Sequence, residues 1–323
     1  MAASPREPDA QPSTDGPPAP LPAPSAMETT YRGNCHCAAF VYEVWLPPIH
    51  SALECRCAMC HRKGYLWNLV GGGRRHVEVV TGTWEDLARF VPNALPRSRP
   101  RSWDVRALQG IDTWTITKVP YACPAADAPA APAVHAGPLP AAAPGDGGHK
   151  LHTGSCHCGA VTVALASKPL DATYADRTVD CNCSVCVRNG YVWAYPRKEH
   201  VVLGSGAAPC SSSSSSSTTT TTTTTTTGGG GGGIGRYHFS HHVLNKTFCA
   251  ACGVCLTNEW ADRGEEELRA LGAPVPTPAW VAELMAPLHP VNLRVFPGVN
   301  LAGMKPPFRI KGATEVPPAY VNP

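Results

Sequence analysis

The sequence predicts a mainly β protein made of two copies of one small domain. Long motifs recur in both halves, candidate strands are short and alternating or aromatic, and helical periodicity is scarce. Gly33-Asn34-Cys35-His36-Cys37 returns as Gly154-Ser155-Cys156-His157-Cys158, and Cys55-Arg56-Cys57-Ala58-Met59-Cys60 returns as Cys181-Asn182-Cys183-Ser184-Val185-Cys186. Further matches join Gly64-Tyr65-Leu66-Trp67 to Gly190-Tyr191-Val192-Trp193, and Val105 to Ile111 to Leu293 to Val299.

Within a copy, Val161 to Leu165 alternates, and Tyr191 to Tyr195 is aromatic and β-branched. Tyr237 to Phe239 and Val291 to Phe296 also read as strands. Glu265 to Leu271 and Trp280 to Met285 are the helical candidates, each stopped by Gly or Pro. Composition sets the boundaries. Residues 1–28 hold mainly Pro, Ala, Ser and charged groups and are expected to be a disordered tail. The first domain then runs over 29–122, an Ala/Pro/Gly linker over 123–149, and the second domain over 150–323. Within the second domain, 210–233 is a low-complexity insertion, in which seven serines, ten threonines and six glycines follow Cys210.

A chain of 323 residues with 34 prolines and 30 glycines suits two small domains. The formal charge of +3, with no basic run, argues against direct nucleic-acid binding. No apolar run is long enough to span a bilayer and no secretion signal is visible, so no membrane partner is expected. An intracellular, cytoplasmic setting follows, where 15 cysteines point to metal or thiol chemistry rather than to disulfides. Small β domains also bury little apolar area, which is a reason to need a structural metal.

Zinc is the metal that clustered thiolates favour. In the second copy Cys156 and Cys158, with Cys249 and Cys252, make two short-range pairs whose four thiolates match a closed structural zinc. Cys181, Cys183 and Cys186 put three thiolates on one turn and leave a fourth position open, as a catalytic zinc requires. One four-thiolate zinc, with the triplet acting as a redox switch, is the alternative.

Together, Gly-x-Cys-His-Cys-Gly, Cys-x-Cys-x-x-Cys and Phe248-Cys249-x-x-Cys252-Gly253 resemble the glutathione-dependent formaldehyde-activating enzyme and centromere protein V family. The resemblance covers about Leu151 to Tyr320, and Tyr31 to Tyr121 in part. It implies a tent-like β fold, a structural zinc on Cys156, Cys158, Cys249 and Cys252, and a second zinc on Cys181, Cys183 and Cys186. It also implies a carbon–sulfur lyase acting on glutathione–aldehyde adducts of the S-hydroxymethylglutathione type, so that a small glutathione-related thiol or its adduct is the expected partner. The metal would either deprotonate an entering thiol or polarise the aldehyde oxygen. A noncatalytic zinc module that binds protein, and a thiol redox sensor, are the competing functions.

The first copy departs from the pattern. Cys55, Cys57 and Cys60 keep a triplet suited to one zinc, but Cys35 and Cys37 have no Phe-Cys-x-x-Cys-Gly to complete their site. The flanking matches place the loss between about Phe90 and Asp104. Ala38 stands where the second copy has Gly159, at a turn that favours positive φ. The remaining candidates read as ordinary structure: His36 and His157 as outer neighbours of the metal loops, and His238, His241 and His242 as a solvated strand end. Cys255 reads as a buried strand thiol, Trp193 and Tyr195 as core, and Cys123 as incidental.

Overall fold

The structure is a computed structural model that describes residues 28–69, 77–87, 102–122, 133–141, 148–206, 233–239, 242–261, 263–273, 275–277, 279, 281–315 and 319–323. The expected tail short of Glu28, Cys123, His241, all of the low-complexity insertion except Gly233, and most of the expected linker lie outside them.

The first half runs β1 (Thr29–Asn34), β2 (Val41–Leu46), β3 (Ser51–Cys55), α1 (Ala58–Lys63), β4 (Leu66–Leu69), β5 (Val77–Thr81), β6 (Ser102–Asp104) and β7 (Thr117–Tyr121). The second opens with β8 (Lys150–Ser155), β9 (Val161–Ser167), β10 (Thr178–Cys181), α2 (Ser184–Asn189), β11 (Trp193–Ala194) and β12 (Val201–Ser205). It continues through β13 (Ile234–His238), β14 (Leu244–Cys249), β15 (Cys255–Trp260), α3 (Glu265–Ala270), β16 (Val291–Asn292), β17 (Phe308–Ile310) and α4 (Gly312–Glu315). The chain is mainly β, as expected.

Pairing repeats along with sequence. The sheets β1-β2-β5 and β8-β9-β12 share one strand order, and so do β6-β4-β3-β7 and β16-β11-β10-β17. In the latter two, β3 runs parallel to β7 and β10 parallel to β17. Beyond β16 the second half adds the meander β15-β14-β13, making seven strands. That meander lies between β12 and β16. The matching interval of the first half, between β5 and β6, is the place where the missing cysteine pair was expected.

Two expected strands are shorter than their composition suggests. Val291 to Phe296 breaks after Asn292 into a 3-10 turn over Leu293–Val295, because the Asn292 side chain accepts a hydrogen bond from the Arg294 backbone N–H. Asp104 does the same for Arg106 in the first half. Of Tyr191 to Tyr195 only Trp193–Ala194 pairs as a strand, since Gly190 at φ +57° ends α2 and Tyr191 N–H still reaches back to the Cys186 carbonyl. The Glu265 to Leu271 helix forms as α3 with three glutamates in its first turn, while Val281–Met285 is a π-helical turn. Residues 133–141, expected as linker, run beside the second half: His135 bridges to Gly206 and hydrogen-bonds Thr162 at 2.9 Å.

The halves meet back to back at their helix ends. Gly64 and Gly190 close α1 and α2 in the left-handed region, and a Cβ at Gly64 would lie 2.9 Å from the Gly190 Cα. Arg106 donates to the Gly64 and Val187 carbonyls, and Arg294 donates to those of Gly190 and His61. Arg62 and Arg188 reach across in the same paired fashion, to the Ser155 and Asn34 carbonyls.

Ala38 does take up the left-handed turn, at φ +59°, where Gly159 has +81°. That conformation costs an L-residue about 1–2 kcal/mol, partly offset by the backbone freedom a glycine loses on folding. Ala38→Gly is therefore expected to stabilise the chain by about 0.5–1 kcal/mol in urea unfolding. A destabilised variant would show that the turn is not strained.

Candidate metal centres

Each triplet is built by one local device. Cys55 and Cys181 end strands, Cys57 and Cys183 occupy the position before the helix, and Cys60 and Cys186 fall in its first turn. Strand end, cap and first turn thus bring three sulfurs to one point, and a left-handed glycine ends each helix one turn later. Cys55, Cys57 and Cys60 lie within 4.8 Å of one another, as do Cys181, Cys183 and Cys186, and as do the four sulfurs of Cys156, Cys158, Cys249 and Cys252. These three groups suit a metal that prefers thiolates, zinc among them.

The four-sulfur group joins two tight turns. Cys156 backbone N–H donates to the Val161 carbonyl while Val161 N–H donates to the Cys156 sulfur, and on the opposite side Cys249 N–H donates to the Val254 carbonyl. The Cys158 sulfur lies 3.6 Å from those of Cys156 and Cys249. Hydrogen bonds from Cys156 first, then from Cys249 and Cys252, hold the Cys158 thiol far below its usual range. Two cations from the first half face this group. Arg62 donates to the Ser155 carbonyl at 3.1 Å and Lys63 to the Gly253 carbonyl at 2.8 Å, and both interact electrostatically with Cys252.

Cys181, Cys183 and Cys186 lie against an aromatic wall. Tyr191 and Trp193 are buried there, Tyr195, Tyr237 and Phe239 pack at its margin, and Lys246 sits over the Trp193 ring at 4.2 Å. The Gly312 backbone covers one side so closely that a Cβ would lie 2.6 Å from the Cys181 sulfur. On another side stands His36, from the first half. Its Nδ1 is 2.8 Å from the Tyr237 hydroxyl and its Nε2 is 2.9 Å from the Ser184 hydroxyl, inside the triplet loop. Burial, with Arg188 and Lys246 nearby, lowers the His36 pKa to about 4, so the neutral ring holds one donor and one acceptor for two hydroxyls.

The remaining cysteines divide the first half from the second. Cys60 accepts a hydrogen bond from Trp67 Nε1 at 3.2 Å, and Cys57 is lowered to about 5, chiefly by hydrogen bonding with Cys60. Cys35 and Cys37 are 3.1 Å apart, and among the described residues no further ligand joins them in a metal-sized group. Their loop is held instead by the segment 319–323. The Tyr320 ring stacks on His36 at 4.6 Å and its hydroxyl donates to the His36 carbonyl, while Arg188 ties Asn34 to Asn322. Cys255 is a buried strand thiol and Trp193 is core.

Sequence reasoning found the sulfurs but missed Lys246, Arg62, Lys63 and the reach of His36 across the halves. Lys246 stands three residues before Cys249, and Arg62 and Lys63 stand two and three after Cys60, yet each faces a different thiol group from the one beside it in sequence.

Fold and sites thus define a mainly β protein with three thiol clusters able to hold metal. No family model matches the chain, and no curated protein does. Among solved structures, the crystal structure of a Rhodobacter sphaeroides protein is similar at 21% identity, covering 46% of this chain and 90% of that one, with a TM-score of 0.27. No helix among the described residues is long and apolar enough to cross a membrane.

Proposed function

We propose that the chain is a tandem pair of tent-like β domains, of the glutathione-dependent formaldehyde-activating type, whose second copy carries a structural zinc on Cys156, Cys158, Cys249 and Cys252 and a working zinc on Cys181, Cys183 and Cys186. The observation that carries the reading is the difference in ligand number. Four sulfurs converge in one group, whereas the triplet gathers three and, among the described residues, no fourth Cys, His, Asp or Glu joins it.

When bound at the triplet, zinc would supply Lewis acidity and favour the thiolate form of an entering thiol. The chain's own groups then have definite tasks. Tyr195, Tyr237 and Phe239 exclude water from the triplet, His36 anchors its loop through Ser184, and the Gly312 backbone covers it beside Cys181 and Cys183. A small thiol such as glutathione would add across an aldehyde carbonyl, its sulfur bonding the carbon and its proton passing to the oxygen, giving an adduct of the S-hydroxymethylglutathione type by a reversible carbon–sulfur bond. The first copy, with its triplet Cys55, Cys57 and Cys60 and its unfinished pair Cys35 and Cys37, is the weaker metal partner.

Cys183→Ser is expected to lower bound zinc by one ion per chain while leaving thermal unfolding nearly unchanged. It is also expected to abolish adduct formation from glutathione and carbon-13 formaldehyde followed by NMR. Unaltered zinc content in this variant would count against a metal at the triplet, and unaltered adduct formation would count against its role in the reaction.

A further inference from the structure

We propose that Lys246 is a positioning residue for the second triplet, a buried ammonium whose charge favours an anionic fourth ligand, a thiolate, over neutral water at the open side. The inference rests on a metal being held by Cys181, Cys183 and Cys186, and not on glutathione being the thiol.

Lys246 lies in the middle of β14, between Tyr237 on β13 and Asn258 on β15, and is only 4% exposed. Its ammonium is caged by rings, 4.2 Å from the Trp193 centroid and 5.5 Å from those of Tyr191 and Phe239. Among the described residues no carboxylate pairs with it. A buried cation without an anion is costly, and rings compensate only part of that cost. The rings that cage it belong to the same cluster as Cys181, Cys183, Cys186 and Cys255, and its charge is felt at the sulfurs of Cys183, Cys186 and Cys255 and at the His36 ring. Cys255 does not supply the anion, since burial pushes its thiol up to about 11.

Charge counting supplies the missing partner. A divalent ion with three thiolates carries one net negative charge, which is the anion this ammonium otherwise lacks, and the same ammonium attracts an anionic fourth ligand where it would leave neutral water nearly unaffected. The four-sulfur group is likewise faced by cations. A divalent ion there would carry two net negative charges, and it is faced by two cations, Arg62 and Lys63. At Cys55, Cys57 and Cys60 the leading influences are burial and the neighbouring sulfurs, with Trp67 donating to Cys60.

The test uses the full chain loaded with cobalt, 2-mercaptoethanol as the probe, and the thiolate-to-cobalt absorption as the readout. Lys246→Met, which keeps an apolar side chain in the ring cage, is expected to hold the same amount of cobalt but to need about tenfold more mercaptoethanol at half-saturation. Lys246→Arg, which keeps the charge, is expected to stay within about threefold of the parent. Should Lys246→Met not fold, Lys246→Gln takes its place in the comparison. A neutral variant that titrates like the parent overturns the proposal, and so does an Arg variant as weak as the Met variant, because packing rather than charge would then be at work. A parent protein that binds mercaptoethanol but ignores glutathione sinks the substrate reading alone, with the Lys246 comparison still decisive. A triplet that takes up no cobalt overturns both.

Discussion

Cys249→Ser is expected to unfold the second half under conditions in which the parent is stable, and a strong chelator is expected to do the same to the parent. Cys156 and Cys249 are fully buried and, with Cys252, belong to the same core cluster as Val163, Leu165, Leu256, Leu293 and Phe296. The turns they anchor join β8-β9 to the β13-β14-β15 meander, so the metal would bridge two sheets at the edge of the apolar core that they share. Structural zinc contributes about 10–16 kcal/mol in small zinc peptides, as much as the about 5–15 kcal/mol by which a whole domain is stable. Circular dichroism on heating, with zinc counted in parallel, checks the prediction. A variant that melts with the parent, or a parent indifferent to chelator, would show that these four sulfurs are an ordinary buried cluster.

Gly64→Ala is the substitution with the next largest expected effect, about 2–4 kcal/mol of lost stability. Gly64 sits at φ +66°, which an alanine adopts only with strain, and the added Cβ would meet the Gly190 Cα and carbonyl oxygen at 2.9 Å. Both atoms are backbone and cannot turn aside. The halves would have to move apart, and with them Arg106 and Arg294, whose guanidinium groups are buried on these same carbonyls. Denaturant unfolding measures the loss, and limited proteolysis shows whether the halves separate. Stability within about 0.5 kcal/mol of the parent would mean that the contact between the halves is loose.

How the sites could be read from sequence depended on distance along the chain. Cys181, Cys183 and Cys186 span one strand end and one helical turn, so their spacing alone brings them together, and the recurrence of the pattern at Cys55, Cys57 and Cys60 repeats the signal. The joining of Cys156 and Cys158 to Cys249 and Cys252 was read from zinc's ligand number and supported by the family resemblance rather than by spacing, since the Cys158 and Cys249 sulfurs meet across 91 positions. His36 reaches Ser184 and Tyr237 across 148 and 201 positions, and nothing local in Cys35-His36-Cys37 points there. Strand lengths were misjudged at Val291 to Phe296 because composition reports β propensity, whereas a single asparagine side chain competing for the backbone ends the strand.

By itself the sequence determined the clustered sulfurs, their grouping into triplets and pairs, the repeat, and a mainly β chain, because each depends on spacing within a few residues. Tertiary structure alone decided which charges and rings meet those sulfurs. Lys246 is polar and looks like a solvated position, yet strands on both sides bury it against Trp193. The same holds for the unfinished pair Cys35 and Cys37, whose loop is held by Tyr320 and Arg188 rather than by two more thiols. Burial and charge pairing are properties of neighbours brought together by folding, and only the folded chain specifies who those neighbours are.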